Sequence, residues 1–315
     1  MTITQLKYVL AVAKYQNFTL AASHCFVTQP TLSMQIQKLE ETLDTQLFVR
    51  NKKPIQLTDI GKKIAEQARI VVEESNRIND IIDQQKGFIG GDFKVGIIPT
   101  VMPTLLPLFI KGFLRKYPEV NLIIEELTTE EILKKLNEGQ LDVAIAATPL
   151  NEESIKERVL YYEPFVGFVP EQHRLFDTEK IAVEDLDIQD IILLKDGHCF
   201  KDSVLNLCNT FEKDIDNRLQ LFSGSFDTII KLSKEGLGMT LLPYLHSLDL
   251  EDKDRMYLRE FSGTAPAREV SLIFHKSQLK MHLIEALKVS IDRIVKTVIV
   301  FNDVNIISPV LKKEV

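Results

Sequence analysis

One narrow apolar stripe runs through residues 58–87 and constrains the fold more than any other pattern in the sequence. Its members recur at alternating steps of four and three, at Ile64, Ala68, Val71, Ser75, Ile78 and Ile82. A helix that packs on its own domain normally has a wider apolar face, whereas a seam this narrow is typical of two paired helices. We therefore expect a dimerising linker helix from Thr58 to Gly87, with packing on the chain's own second domain as the alternative.

The part before the linker predicts a winged helix-turn-helix. A first helix carries its apolar stripe on Leu6, Val9, Leu10 and Ala13. The segment FTLAASHCFV predicts a second helix with Thr19 as its N-cap, and Thr28 caps a third that begins QPTLSMQIQKLEETL. Pro30 lies in the first turn of this third helix, where proline is tolerated. The segment QLFVRNKKPIQLT then has the pattern of a strand, a basic turn and a strand, which is a wing.

The third helix and the wing supply the candidate DNA-binding residues. The predicted contacts are Thr28, Gln29, Pro30, Thr31, Ser33, Met34 and Gln35 on the helix, and Arg50, Lys52 and Lys53 on the wing. Gln and Ser side chains read base edges in a major groove, a helix N-terminus points free N–H groups at phosphate, and wing cations lie along the DNA backbone. A small helical subdomain with a solvated charged turn is the alternative interpretation.

The charge distribution is compatible with DNA binding by this part alone. The net charge is −7, yet residues 1–90 hold eleven Lys and Arg against nine Asp and Glu, a net +2, which leaves −9 for the remaining 225 residues. An acidic body with a slightly basic N-terminal part fits nucleic-acid binding confined to that part.

From residue 92 the sequence alternates between strands and helices, which predicts βαβ units and a largely parallel sheet. Two such series form two α/β lobes with a ligand cleft between them, a periplasmic-binding-protein-like regulatory domain. We expect a DNA-binding domain at 1–57, the linker at 58–87 and the regulatory domain at 88–315. Lobe I takes about 88–162 plus 269–315, and lobe II about 163–268.

The N-terminal apolar run is too short for a membrane span and is broken by Lys7 and Lys14, so we expect a cytoplasmic protein with no signal peptide and no membrane partner. In a reducing cytosol its three cysteines are expected to be free thiols. The histidines show no metal-ligand spacing, and no metal or cofactor is proposed.

Two of the cysteines lie nine residues apart in the segment DGHCFKDSVLNLC. If the segment between them is helical, a rise of about 1.5 Å per residue separates their Cα atoms by roughly 13 Å, about twice what a disulfide allows. Either Cys199 and Cys208 never bond, or bonding unfolds the segment. The intervening Val204, Leu205 and Leu207 are predicted to be the buried face of a short helix.

The stretch AASHCFVTQPTLSMQIQKLEETLDTQLFVR resembles the signature of LysR-type transcriptional regulators, whose domain order also fits this chain. IIPT at 97–100 and DGHCFKD with Cys208 resemble the OxyR hydrogen-peroxide sensors of that family. The resemblance implies that Cys199 reacts with peroxide and that Cys208 resolves its sulfenic acid as a disulfide. It also implies a peroxide pocket of Thr100, Thr129, His198, Lys201, Asp202 and Arg268.

Within that pocket, Lys201, His198 and the dipole of a helix that starts near residue 199 are the expected stabilisers of the thiolate. Lys201 stands where the family usually has arginine. Thr129 has a second interpretation as the plain N-cap of the helix EEILKKL.

The implied function is a DNA-binding, redox-sensing activator of antioxidant genes, which is not an enzyme. Its expected partners are double-stranded DNA, hydrogen peroxide, RNA polymerase and further copies of itself in a dimer or tetramer. The alternatives are a regulator of the same family that binds a small metabolite in the cleft, a thiol peroxidase, and a solute-binding transport protein.

Overall fold

The computed structural model describes residues 1–49, 52–86, 89–194, 199–208, 224–299 and 304–310. The chain divides into two compact units, Met1–Phe88 and Ile89–Val315, and each is described by itself. The candidate residues Arg50 and His198 lie outside the described residues.

The first unit is a winged helix-turn-helix followed by one long helix. Its elements are α1 (Ile3–Tyr15), α2 (Phe18–His24), α3 (Gln29–Thr42), β1 (Phe48–Val49), β2 (Gln56–Leu57) and α4 (Asp59–Lys86). The strands β1 and β2 pair antiparallel as the wing. The core between the helices is made of fully buried apolar side chains, among them Val9, Leu32 and Ile36. The predicted fold class of this part is confirmed.

The N-termini of α2 and α3 are each capped by one side chain. Thr28 caps α3 as predicted, since its hydroxyl accepts a hydrogen bond from the Thr31 backbone N–H. The predicted N-cap of α2 is wrong: Asn17 is the cap, and its side chain accepts hydrogen bonds from the N–H groups of Thr19 and Leu20. The amide oxygen of Asn17 reaches two of the four orphan N–H groups of the first turn, which leaves Thr19 inside the helix.

The stripe along α4 serves two surfaces rather than one. Ala65, Ala68 and Val72 are buried in the core of the first unit, whereas Val71 is 37% exposed and Ile78 is 61% exposed. The predicted stripe is therefore only partly a pairing surface. Ala68 packs on the helix's own domain, while Val71 and Ile78 remain exposed and available to another helix. Pairing of two copies through this exposed side stays a prediction.

The second unit is a two-lobed α/β structure built on one curled, mixed sheet, which confirms the predicted fold class of the regulatory part. Its helices are α5 (Met102–Lys116), α6 (Thr129–Asn137), α7 (Cys199–Leu207), α8 (Phe226–Lys234), α9 (Tyr244–Leu248) and α10 (Met281–Val298). Its strands are β3 (Gly91–Ile97), β4 (Val120–Glu126), β5 (Val143–Thr148), β6 (Ile155–Phe168), β7 (Lys180–Ile181), β8 (Thr240–Pro243), β9 (Leu258–Phe261), β10 (Ala265–His275) and β11 (Val304–Ile306).

The sheet has the strand order β4-β3-β5-β10-β6-β9-β7. Only part of it is parallel: β3 pairs parallel with β4 and β5, but β10 runs antiparallel to both β5 and β6. The prediction of a largely parallel sheet is therefore wrong. The reason is that the long strands β6 and β10 carry the chain across from one lobe to the other in opposite directions, so they must pair antiparallel.

Two separate apolar cores correspond to the two lobes. The first core lies around β3, β5 and α10, and the second lies around α7, α8 and β8. The C-terminal strand β11 pairs with residues 265–267 of β10, and Ile307 packs against the second core. This differs from the expected grouping of residues 269–315 with lobe I, because a strand added to β10 must follow that strand to its lobe II end.

Within the described part of the chain, no helix is long and apolar enough to cross a membrane. No group of three His, Cys, Asp or Glu side chains is arranged as a metal site among those residues.

Glu40, near the end of α3, fixes the start of the wing. The Glu40 side chain is only 8% exposed, and its Oε1 accepts hydrogen bonds from the backbone N–H groups of Leu47 at 2.8 Å and Phe48 at 3.3 Å. A buried carboxylate is stable here because two backbone donors satisfy it.

We predict that Glu40→Ala lowers the free energy of unfolding of the first unit by about 1–3 kcal/mol, because two buried N–H groups lose their acceptor. Urea unfolding measures the effect. Glu41→Ala is the matched control, since Glu41 is an exposed neighbour whose side chain accepts a hydrogen bond from Gln37, and the loss of that bond costs about 0.5 kcal/mol or less. Equal midpoints for the two variants would contradict this account.

Candidate functional site

Cys199 lies at the boundary of the two cores of the second unit. As the first residue of α7 it packs in the first core and is 7% exposed. The residues that follow it on the same helix, Phe200, Val204, Leu205 and Leu207, are buried in the second core. The prediction that Val204, Leu205 and Leu207 form the buried face of α7 is confirmed. A chemical change at the Cys199 sulfur therefore affects the packing where the two lobes meet.

A fully buried ion pair lies beside this cysteine. The register of the sheet places Arg268 of β10 opposite Glu163 of β6, and both residues have 0% exposure. The guanidinium donates from Nε and Nη2 to Glu163 Oε2 at 2.9 and 2.7 Å. Its remaining donors reach the Thr100 hydroxyl at 2.8 Å and the Thr100 carbonyl at 2.9 Å. Arg268 thereby ties the loop after β3 to the crossing strands.

The ion pair is completed from two further elements. Glu163 Oε1 accepts the backbone N–H of Leu245 at the start of α9, at 2.9 Å, and the Phe200 ring lies 5.4 Å from the Arg268 guanidinium carbon. Removal of one partner from such a buried pair typically costs about 3–5 kcal/mol, because it leaves an unpaired buried charge. The pair therefore holds Thr100, the start of α9 and the Phe200 ring in defined positions.

The Cys199 thiol is held protonated in this environment, with groups in place that favour its thiolate. Burial is the largest influence and raises the pKa above its usual value of 9.0, and the charge of Asp202 raises it further. Arg268, the Thr129 hydroxyl and the Ala147 backbone act in the opposite direction. A positive charge and hydrogen-bond donors around a buried thiol stabilise the thiolate when it forms.

Thr129 has no capping role, so the plain N-cap interpretation of this residue is wrong. The cap of α6 is Thr128, which forms a capping box with Glu131. The Thr129 hydroxyl is buried without a well-formed hydrogen bond in the present state, and it is close enough to stabilise a Cys199 thiolate. A buried, unsatisfied hydroxyl beside a thiol is available to a polar ligand or to the thiolate itself.

The structure brings four predicted pocket residues together. Thr129, Asp202 and Arg268 act on the Cys199 thiol, and Thr100 is hydrogen-bonded to Arg268. Lys201 is buried on the same helix, where it lines a small depression with Phe200 and Val204. Arg268 lowers the pKa of the Cys199 thiol, and a role for Lys201 at that thiol stays a prediction.

Sequence patterns alone did not point to Glu163, Ala147 or Leu245. Glu163 stands in LYYEPFVGF, a strand that is otherwise buried over its second half. A lone carboxylate in an apolar strand indicates a buried partner, and this signal was available. The backbone groups of Ala147 and Leu245 carry no residue-type signal, because any amino acid supplies the same N–H.

The Cys208 thiol stays protonated and unreactive while α7 is folded. The residue is half-buried, and its N–H donates to the Val204 carbonyl at 3.0 Å, which continues the helix. Burial and the nearby carboxylates of Asp187 and Asp190 raise the pKa of this thiol to about 12. Both Cys199 and Cys208 are free thiols here, and helical geometry separates their Cα atoms by roughly 13 Å.

In the first unit, most of the predicted DNA-binding residues are exposed. Gln29, Pro30, Thr31 and Met34 are exposed on one side of α3, Thr28 caps its start, and the wing lysines Lys52 and Lys53 are exposed as well. Ser33 is half-buried. Gln35 is half-buried and its Oε1 accepts a hydrogen bond from the Gln5 side chain at 3.2 Å. Gln35, a predicted DNA contact, therefore also helps to hold α3 against α1.

A winged helix-turn-helix with an exposed polar helix, together with a separate two-lobed α/β unit, defines a transcriptional regulator that senses a signal. The family comparison agrees: residues 3–62 match the bacterial regulatory helix-turn-helix protein, lysR family, and residues 86–291 match the LysR substrate binding domain. The chain belongs to the LysR family of transcriptional regulators, and the resemblance read from the sequence is confirmed.

Similar proteins include several regulators named for hydrogen peroxide. The chain is 32% identical over 274 residues to a hydrogen peroxide-inducible genes activator of Pectobacterium carotovorum, which covers 87% of this chain and 90% of that protein. The transcriptional dual regulator OxyR of Escherichia coli K12 is likewise 32% identical, over 87% of this chain and 89% of its own. Among solved structures, full-length OxyR of Pseudomonas aeruginosa matches with a TM-score of 0.74 and 34% identity, covering 93% of this chain and 98% of that one.

We predict that alkylation of Cys208 by iodoacetamide keeps accelerating up to pH 10. The thiolate is the reacting species, and below a pKa of about 12 its fraction rises tenfold for each pH unit. In urea-unfolded protein the same rate should level off above the usual thiol pKa of 9.0. Peptide-resolved mass spectrometry follows Cys208 separately from Cys199. A plateau near pH 9 in the folded protein would show that burial and the two aspartates do not act on this thiol.

Proposed function

We propose that the protein is a DNA-binding transcriptional regulator that senses hydrogen peroxide through oxidation of Cys199 and a reversible Cys199–Cys208 disulfide. The observation that carries this proposal is the position of Cys199, buried beside Arg268 and Thr129 at the start of the helix that bears the second cysteine. The names of the relatives support it, as does a solved OxyR variant of Corynebacterium glutamicum that is described as hydrogen peroxide-bound and shares 28% identity at a TM-score of 0.61.

The proposed chemistry has two steps. The Cys199 sulfur attacks one peroxide oxygen, the O–O bond breaks, and sulfenic acid and one water are formed. The Cys208 sulfur then attacks the Cys199 sulfur, an S–S bond replaces the S–O bond, and a second water leaves. Overall, two thiols lose two electrons and two protons to one peroxide. Thr100, Thr129, Asp202 and Arg268 form the proposed pocket, with Arg268 stabilising the thiolate and the departing negative oxygen.

Disulfide formation cannot preserve the packing of α7. The two Cα atoms must approach from roughly 13 Å to about 5.5 Å, so the helix between them unwinds. Val204, Leu205 and Leu207 then leave the second core, and full exposure costs about 1.5–3 kcal/mol for each such side chain. The disulfide is consequently strained and easily reduced, which suits a sensor that is reset.

The proposed output is a change in DNA contacts. Two copies pair through the exposed side of α4, and the rearranged lobe repacks against a neighbouring copy, so the spacing of the two DNA-reading helices changes with redox state. We place the protein in the cytoplasm as a dimer or tetramer that recruits RNA polymerase to antioxidant genes. Because peroxide reduction serves the switch and not turnover, we propose a regulator rather than an enzyme.

A stoichiometric dose of hydrogen peroxide, followed by intact mass and a non-reducing peptide map, tests the proposal. We expect a loss of two hydrogens and a linked Cys199–Cys208 peptide, and a footprint on DNA that differs between the two states. Cys25→Ser is the matched control and should behave as the native protein, whereas Cys199→Ser should retain two free thiols. Three free thiols in the native protein after treatment, with Cys199 and Cys208 both unlinked, would favour a metabolite-binding regulator of the same family.

The wing lysines give a second test of the DNA-binding assignment. We predict that Lys53→Ala weakens DNA binding and reduces the slope of log affinity against log salt by about 0.9, because one fewer phosphate contact releases one fewer counterion. Fluorescence anisotropy at several salt concentrations measures both quantities. Lys156→Ala removes the same charge from an exposed position of the second unit, and it should leave the slope unchanged.

A further inference from the structure

The segment after α10 returns to the sheet and is anchored there. Val304, Asn305 and Ile306 pair in parallel with residues 265–267 of β10, and the Ile307 N–H donates to the Ala267 carbonyl at 2.8 Å. Pro309 is buried, and Ile307 packs against the second core. Residues 304–310 are therefore held by backbone pairing and by apolar contact together.

The anchored segment also holds the helix that bears the cysteines. Asn206 lies on α7 between Cys199 and Cys208, and its side-chain Nδ2 donates to the Ser308 carbonyl at 3.0 Å and to the Val310 carbonyl at 2.9 Å. Both amide hydrogens are thus used on one segment. Asn is a poor helix former, so its place in the last turn of a short helix is stabilised by these contacts and not by propensity.

We propose that Asn206 and residues 304–310 form a C-terminal clasp that keeps the last turn of α7 folded and thereby slows the approach of Cys208 to Cys199. This inference rests on the proposed function. Asn206 is a positioning residue, because it acts through the turn that carries Cys208.

The clasp acts on only one of the two chemical steps. Oxidation of Cys199 to the sulfenic acid takes place with α7 folded, so it does not require the clasp to open. In the second step the Cys208 sulfur forms the S–S bond, the S–O bond breaks, and the hydroxide takes up the Cys208 proton as water. This step needs the turn around Cys208 to unwind, which cannot occur while Asn206 is bonded to Ser308 and Val310.

The clasp also connects the resolving cysteine to the pocket. Ala267, which accepts the Ile307 N–H, directly precedes Arg268 on β10, and Arg268 acts on the Cys199 thiol. Residues 304–310 therefore contact the strand of the pocket arginine at one end and the helix of Cys208 at the other. A rearrangement of α7 must change the support of that strand as well.

The test uses the full-length reduced protein and needs no peroxide at first. Asn206→Ala removes both hydrogen bonds, and peptide-resolved alkylation by iodoacetamide reports how often the turn opens around Cys208. We expect an increase of about tenfold, since each neutral hydrogen bond is worth roughly a factor of two to twelve. Alanine is the better helix former, so helix propensity works against this outcome and cannot produce it.

Two further variants make the result specific. A chain that stops before Val304 should show at least the same increase, and Asn206→Ala should add little to it, because both changes remove the same two hydrogen bonds to α7. Asn121→Ala is the matched control: its amide donates to Asp92 at 2.7 Å on the far side of the sheet, and Cys208 should react at the native rate. Circular dichroism verifies that each variant is folded.

Peroxide treatment then separates this inference from the proposed function. We expect Asn206→Ala to form the disulfide about tenfold faster, while the rate of sulfenic acid formation at Cys199 stays unchanged. Equal Cys208 alkylation in native protein and in Asn206→Ala overturns the clasp, whether or not peroxide forms a disulfide. Faster alkylation without a disulfide in either protein keeps the clasp and overturns the redox function.

Discussion

The buried pair of Arg268 and Glu163 is the interaction on which the rest of the second unit depends. The pair joins the two long strands that cross between the lobes, and its other contacts reach Thr100, the start of α9 and the Phe200 ring. Two charges with no solvent must be satisfied by fixed partners, so each partner is held in place, and the Cys199 thiol acquires a cation at a defined position.

The different environments of the Cys199 and Cys208 thiols follow from their positions at the two ends of α7. At its first residue the thiol meets a positive charge and a hydroxyl that favour ionisation, although burial still dominates. Nine residues later the Cys208 thiol meets two carboxylates, which raise its pKa further above the effect of burial. The folded helix thus keeps the two sulfurs apart both in distance and in chemical state, and only unwinding would remove both restraints together.

Local patterns predicted the elements well and their assembly less well. The cap Thr28 and the apolar face of α7 were correct because they depend on residues within a few positions. The seam on α4 was only partly correct, since Ala68 belongs to its own domain while Val71 and Ile78 are exposed. The mixed sheet was missed because strand direction depends on which strands cross between lobes. Asn17 rather than Thr19 is the cap because the Asn17 side chain reaches the backbone N–H groups of the first turn, and the residue type alone does not reveal this geometry.

The sequence by itself determined the family, the winged helix-turn-helix, the two-lobed α/β unit and the cysteine pair, because each is written in short-range periodicity or in a contiguous motif. Only the tertiary structure decided that Arg268 acts on Cys199, that Glu163 neutralises this arginine, and that residues 304–310 hold Asn206. These partners are separated by tens to hundreds of residues along the chain. Electrostatic and hydrogen-bond energies depend on distances that folding alone creates.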